Sequence, residues 1–467
     1  MFQLMILVFV LGYLAIALEH PLKIDKAAPA LLIGSLVWVF YMFGVEDILN
    51  MGFSSAWKHH LNLYPLENNI EGMRHFLVHN QIIEHLGEIS EILFFLLGAM
   101  TIVEIVDQHH GFKVITDKIK TTNKVKLLWV LSFLTFFMSA ALDNLTTTIV
   151  MVALLRKLID DKQTRWFFAS MIVLAANAGG AWSPIGDVTT IMLWIGGQVT
   201  AMKIIVGVFL PSLVCMIVPL LIVSFTQKGD VTRPDVDDNG DDLSSPFEQK
   251  LLLIMGVLGL LFVPVFKTVT HLPPYMGMLL SLSIIWATTE ILHKNKDKEI
   301  KNKLRPMNIL KKVDTPTVFF FLGILSAVAA LQSAGHLSIM AEKLDTALGN
   351  IYLIDIAIGI LSAIVDNVPL VAGSMGMYPI ANPETVAMAA NPEYMQAFVQ
   401  DGTFWEFLAY TAGTGGSLLI IGSAAGVAAM GLEKIDFIWY MKKITLLAFV
   451  GYLAGAGTYY LQVLLLQ

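Results

Sequence analysis

Two Asp-Asn pairs, Asp143-Asn144 and Asp366-Asn367, interrupt long apolar runs of this chain. Asp143 follows the run 127–142 and precedes Leu145-Thr146-Thr147-Thr148; Asp366 sits between the runs 351–365 and 368–377. An ionisable group inside a membrane span is costly and defaults to function. A bend at such a pair leaves backbone carbonyls and helix ends unpaired, which a membrane tolerates only where they line a cavity. Those carbonyls, with the oxygens of Asp143, Asn144, Thr146, Asp366 and Asn367, are the hard donors that Na⁺ prefers. The blander reading is that each Asp merely caps the half-helix that follows it. A water-style cap has little reason to be duplicated at bilayer depth.

Two Gly-rich segments supply further walls. In Asn177-Ala-Gly179-Gly180-Ala-Trp-Ser183-Pro184-Ile-Gly186-Asp187, the residues Gly179, Gly180, Pro184 and Gly186 break any helix, while Asn177, Ser183, Asp187 and the nearby Thr189 offer oxygens. Thr411-Ala-Gly413-Thr414-Gly415-Gly416-Ser417 does the same later, with Thr411 and Thr414 as oxygen donors. Close helix packing would explain the glycines. It would not explain a third buried carboxylate, Asp187. Three carboxylates with no expected Lys or Arg beside them make an anionic cavity in which protons and a metal cation compete for the same oxygens. Such competition, combined with alternating access, is exchange, and the proton belongs to the set rather than to one Asp.

The elements that must hold these residues are membrane helices. Of 467 residues, 56% are hydrophobic and 14% charged, against about 25% charged in soluble domains. The apolar residues fall in blocks near the length of a spanning helix. Residues 1–18 lack a basic leader and a small-residue cleavage site, so they read as a mature span. The lone Cys215 excludes an internal disulfide. Nothing in the sequence asks for a cofactor or a nucleic acid.

The blocks repeat. Phe94-Phe-Leu-Leu-Gly98 recurs as Phe319-Phe-Phe-Leu-Gly323, and Ser139-Ala-Ala-Leu-Asp-Asn144 as Ser362-Ala-Ile-Val-Asp-Asn367. Asn177-Ala-Gly-Gly recurs more loosely in 411–416, the extra spacing being absorbed by the polar stretch 381–401. The expected fold is therefore an all-α polytopic membrane protein made of an inverted repeat of two five-span units, each with a re-entrant hairpin and a broken helix. The first unit is 1–225, with a hairpin at about 126–155 and a broken helix at about 165–197. An acidic cytoplasmic linker fills 226–248. The second unit is 249–467, with a hairpin at about 351–380 and a broken helix at about 404–430. Threading the chain this way puts 25 of the 30 Lys and Arg on one side, which the positive-inside rule makes cytoplasmic, with both termini outside. Ion sites then belong at the midplane between repeats.

The strings Asp143-Asn-Leu-Thr-Thr-Thr-Ile, 177–190 and Asp366-Asn-Val-Pro-Leu-Val resemble the NhaD-type sodium/proton antiporters of the ion transporter superfamily, over nearly the whole chain. The resemblance implies export of Na⁺ or Li⁺ in exchange for H⁺ across a bacterial inner membrane, in the service of pH homeostasis, by a homodimer. It implies a Na⁺ site at Asp143, Asn144, Asp366 and Asn367. Carriers of dicarboxylates in the superfamily place Ser where this chain has Asp, and that exchange favours a cation. The nearest rival is a permease for arsenite or a small anion on the same fold. An intramembrane aspartyl protease is the rival enzyme, but its Gly-x-Gly-Asp signature is missing at Ile185-Gly186-Asp187. A metal site among His59, His60, His75, His79 and His85 lacks a fixed third ligand. Glu91, deep in the third span, is a candidate for the proton path.

Overall fold

The computed structural model describes residues 1–466 apart from 18, 117, 235–243, 295, 298–303 and 365. Most of the acid run expected in the linker falls within 235–243, outside the described residues. Among those described the chain is almost wholly helical, and its one β-type contact is an isolated bridge between Asn123 and Asp230. Among the described residues, seven helices are long and apolar enough to cross a membrane, or eight if the bent pair His336–Leu348 and Ile351–Leu361 counts as one span. Phe2–Ile16, Ala27–Phe43 and Ala424–Glu433 are shorter apolar helices. The outer surface is apolar: Phe43, Phe225 and Val269 are 75%, 81% and 73% exposed. Such a surface belongs against lipid or another apolar surface rather than against water.

In lipid, helices gain from close backbone approach rather than from burying apolar area, so small residues mark the contacts. The helix Ala27–Phe43 lies against Thr315–Ser333 through Gly34 and Gly323; a Cβ on Gly34 would stand 2.5 Å from the Gly323 carbonyl oxygen. Ala201–Thr226 lies against Thr445–Leu466 in the same manner, where a Cβ on Gly451 would stand 2.4 Å from the Cys215 carbonyl oxygen. Each pair joins a helix from the first part of the chain to one from the second.

The helices expected to form the first hairpin are Lys124–Leu142 and Asn144–Leu158, broken at Asp143. Those of the second are Ile351–Leu361 and Asn367–Met377. The broken segments are Lys162–Ala181 followed by Val188–Ile195, and Thr403–Gly415 followed by Ala424–Glu433. Each broken segment grips its hairpin by the same three contacts. Ser139 Oγ donates to the Ala176 carbonyl at 2.6 Å, and Ser362 Oγ to the Ala412 carbonyl at 3.2 Å. A Cβ on Gly179 would stand 2.2 Å from the Phe136 carbonyl oxygen, and one on Gly415 2.0 Å from that of Gly359. A Cβ on Gly186 would stand 2.8 Å from the Ser139 carbonyl oxygen, and one on Gly422 2.6 Å from that of Ser362. One offset, 223 positions, relates the hairpin residues; another, 236, relates the broken segments. The atoms facing these glycines are backbone and cannot swing aside. Gly179→Ala or Gly415→Ala is therefore expected to cost at least about 1–3 kcal/mol of stability, read as a lower unfolding temperature of the purified protein in detergent.

The far end of Asn144–Leu158 is pinned as well. Arg156 Nε donates to Glu433 Oε1 at 2.7 Å and Arg165 Nε to Glu433 Oε2 at 3.0 Å. Glu433 thus fixes the ends of two first-part helices to the last helix of the second broken segment.

Candidate functional site

The centre of the site is Asp187, not either hairpin tip. Asp187 ends the break 182–187 and caps Val188–Ile195: its Oδ1 accepts from the Thr189 backbone N–H and from Thr189 Oγ1, both at 2.9 Å. Its Oδ2 accepts from Asn144 Nδ2 at 2.6 Å and from Asn367 Nδ2 at 3.4 Å. One buried carboxylate oxygen therefore receives an amide from each Asp-Asn pair. Asn144 Nδ2 also reaches Asn177 Oδ1 at 3.1 Å. Asn177 Nδ2 in turn donates to Ser417 Oγ at 2.8 Å and Ser423 Oγ at 2.9 Å. Asn177 is wholly buried, and Asp187 is 1% exposed.

Asp143 and Asp366 do cap the helices that follow them, as the blander reading has it. Asp143 Oδ1 accepts from the Thr146 N–H at 2.7 Å, and Oδ2 from Thr146 Oγ1 at 2.8 Å. Its backbone is held at φ 85°, a conformation that costs a non-glycine residue about 1–3 kcal/mol and collects at functional sites. Asp366 accepts more weakly, from the Val368 N–H at 3.4 Å. Each of the two stands next in sequence to the asparagine that reaches Asp187 Oδ2.

One expectation fails here. The cavity is not free of basic groups, because Lys26 Nζ stands 3.3 Å from Asp366 Oδ2. Lys26 precedes Asp366 by 340 positions, and only the tertiary fold brings them together.

The other expected residues divide. Ser183 Oγ donates to the Ala140 carbonyl, tying the first break to the first hairpin. Thr411 and Thr414 turn their hydroxyls back onto the Leu408 and Tyr410 carbonyls of their own helix. Pro184 lies inside the first break. Gly413 lets the two broken segments cross, since a Cβ there would stand 3.0 Å from Ala181 Cβ. Gly180 and Gly416 each face the glycine six residues on: a Cβ would stand 2.5 Å from the Gly186 carbonyl oxygen and 2.8 Å from that of Gly422.

Sequence reasoning missed Ser423, while Ser417 stood at the end of the second Gly-rich segment without a role of its own. The 236-position offset makes Ser423 the counterpart of Asp187, and it caps its helix likewise by accepting from the Gly426 N–H at 3.2 Å. Of two equivalent positions, then, only the first carries a charge. Asp355 was also missed. It is fully buried in Ile351–Leu361, and neither carboxylate oxygen has a hydrogen-bond partner among the described residues.

A cavity of about 400 Å³ approaches the site, lined by Glu19, Asp25, Lys26, Leu145, Ile149 and Asp314 among others. A second, of about 410 Å³, takes in His85, Glu88, Glu91, Gln198 and Gln332. The rings of His75 and His79 lie with centroids 4.5 Å apart, tilted by 32°, and His60 Nε2 pairs with Glu67 Oε2 at 2.8 Å. Among the described residues, no three His, Cys, Asp or Glu side chains converge closely enough to hold a metal ion.

The sequence profile of a family described as citrate transporter matches residues 13–391. Sodium/proton antiporter 1 of Arabidopsis thaliana is 44% identical over 459 residues, covering 97% of this chain and 71% of its own. Sodium/proton antiporter 2 of the same plant is 42% identical over 97% of this chain and 98% of its own. The Na⁺/H⁺ antiporter NhaD of Vibrio cholerae is 29% identical over 94% of this chain and 87% of its own. The chain belongs to the NhaD-type sodium/proton antiporter family. As a member of that family it is a multi-span membrane transporter and not an enzyme. Its relatives come from plants as well as bacteria.

Proposed function

We propose that this protein exchanges Na⁺ or Li⁺ for H⁺ by alternating access, with cation and proton competing for Asp187 and the two flanking carboxylates. The observation that carries the reading is the meeting of Asn144 and Asn367 on one oxygen of Asp187. An amide offers either an N–H or a carbonyl. In the arrangement described, N–H groups face Asp187. Turning both amides presents their oxygens instead, and with Asp187 Oδ2, Asn177 Oδ1 and a carboxylate of Asp143 or Asp366 they form an oxygen cage for Na⁺. Filling that cage with a cation displaces protons from it; protonation empties it again.

Two inverted units, each with a re-entrant hairpin, give the site walls that open in turn to either side. The recurrence of the same glycine and serine contacts at constant offsets supports the duplication. The lopsided distribution of Lys and Arg supports the inversion and an orientation with both termini outside; the family resemblance supports a bacterial inner membrane. On that orientation cytoplasmic Na⁺ leaves as external H⁺ enters. The homodimer implied by the family resemblance belongs to the same proposal.

The family match described as citrate transporter favours a second reading, a permease for a small anion. It requires basic groups at the site, and the one there, Lys26, is engaged by Asp366. Addition of Na⁺ or Li⁺ to inside-out vesicles holding an imposed pH gradient is the test. The gradient is expected to collapse in their presence and to stand when citrate or arsenite is added without them. Collapse driven by the anion instead overturns the exchange reading.

A further inference from the structure

Asp143 and Asp366 occupy matching positions, yet their surroundings differ in a way the sequence dictates. Asp143 is satisfied by Thr146, which supplies both an N–H and a hydroxyl. The position equivalent to Thr146, by the 223-residue offset, is Pro369. Proline has no N–H and no hydroxyl. Asp366 is left with the Val368 N–H at 3.4 Å, and its remaining capacity is taken by Lys26 Nζ at 3.3 Å.

Lys26 is well placed to serve as a tethered cation. It immediately precedes the helix Ala27–Phe43, which is locked against Thr315–Ser333 by the Gly34 and Gly323 contact. Its ammonium also lies 4.3 Å from the centre of the Phe320 ring. The two charged side chains are 19% and 14% exposed, at a constriction that they share with Tyr13, Glu19, Ile364 and Val427. The larger cavity lined by Asp25 and Asp314 also reaches Lys26 and Glu19. Asp25 and Asp314 are already turned to the backbone N–H groups of Ala27 and Thr317. Beyond Asp366, its neighbour Asn367 leads directly to Asp187.

We infer that Lys26 is an internal competitor of the transported cation, its ammonium occupying Asp366 until Na⁺ displaces it. The inference rests on the exchange reading above. A half-buried ion pair must break before Asp366 can coordinate, so Lys26 lowers the apparent affinity for Na⁺ and helps release it. The charge-matched exchange also spares Asp366 from standing as a bare anion between cycles.

The test is Na⁺-dependent exchange by Lys26→Met, with Lys26→Gln as a second neutral variant and Lys26→Arg as the conservative one. At alkaline pH, where protons compete least, both neutral variants are expected to lower the half-saturating Na⁺ concentration about five- to tenfold. Lys26→Arg should stay within about twofold of the parent, because it restores the charge. If a neutral variant is folded but turns over poorly, Na⁺ binding to the purified protein by calorimetry reads the same shift. A half-saturating concentration or binding constant that is unchanged or raised in both neutral variants overturns the assignment of Lys26. A parent protein that binds no Na⁺ at all overturns the exchange reading instead.

Discussion

Asp187→Asn is expected to abolish Na⁺-driven proton movement while leaving a folded protein in the membrane. The substitution keeps shape and most hydrogen-bonding capacity, and Asn caps a helix about as well as Asp. What it removes is the one charge on which both Asp-Asn pairs converge, at a position 1% exposed. A cation brought into that setting without its counter-charge faces a penalty of roughly 3–5 kcal/mol. That corresponds to a loss of at least about 100-fold in turnover at a given Na⁺ concentration. The measurement is the rate of gradient collapse in proteoliposomes, with the unfolding temperature confirming that the variant is intact. In the parent protein the same assay should give a half-saturating Na⁺ concentration that falls as the pH rises, because fewer protons contend for the shared oxygens.

The second large effect separates charge from capping at the tips. Both Asp143 and Asp366 accept the N–H groups that open a helix, so a purely structural role is a real alternative. Asn at an N-terminal cap costs almost nothing relative to Asp. If capping were the whole role, Asp143→Asn and Asp366→Asn would exchange normally. We expect each to lose about 100-fold or more in Na⁺-dependent exchange, for the reason given for Asp187. Asp143→Ala adds the loss of both Thr146 bonds and should destabilise by a further amount near 1 kcal/mol. Asp366, whose cap bond is long, should show little of that second effect on going from Asn to Ala.

Much of this could be read from the chain, and what could not has identifiable physical causes. Apolar runs of spanning length and the Gly and Pro breaks sit where composition and helix chemistry put them. The Asp-Asn pairs were visible because a charge in such a run stands out. Asp355 is more deeply buried than the Asp of either pair but lacks a neighbouring polar residue, and a lone Asp in the run 351–361 drew no notice. The convergence of both Asp-Asn pairs on Asp187 was hidden because its partners, Asn144 and Asn367, are side chains of two other segments. The relation of Ser423 to Asp187 was hidden by the polar stretch 381–401, which shifts the offset from 223 to 236 between hairpin and broken segment. Lys26 entered the sequence reading only as one of the 25 Lys and Arg on the basic side. Its long side chain reaches from a helix start into the site, as lysine stems commonly do, and that reach has no sequence signature.

The central claim is that a proton and a metal cation contend for one set of oxygens around Asp187. Calorimetric titration of the purified protein with Na⁺, in buffers of differing ionisation enthalpy, counts the protons released as the cation binds. Competition predicts about one proton or more released per Na⁺ at a pH where the site is protonated, and none with Asp187→Asn. Na⁺ binding without proton release in the parent protein, or release that persists unchanged in Asp187→Asn, would contradict it.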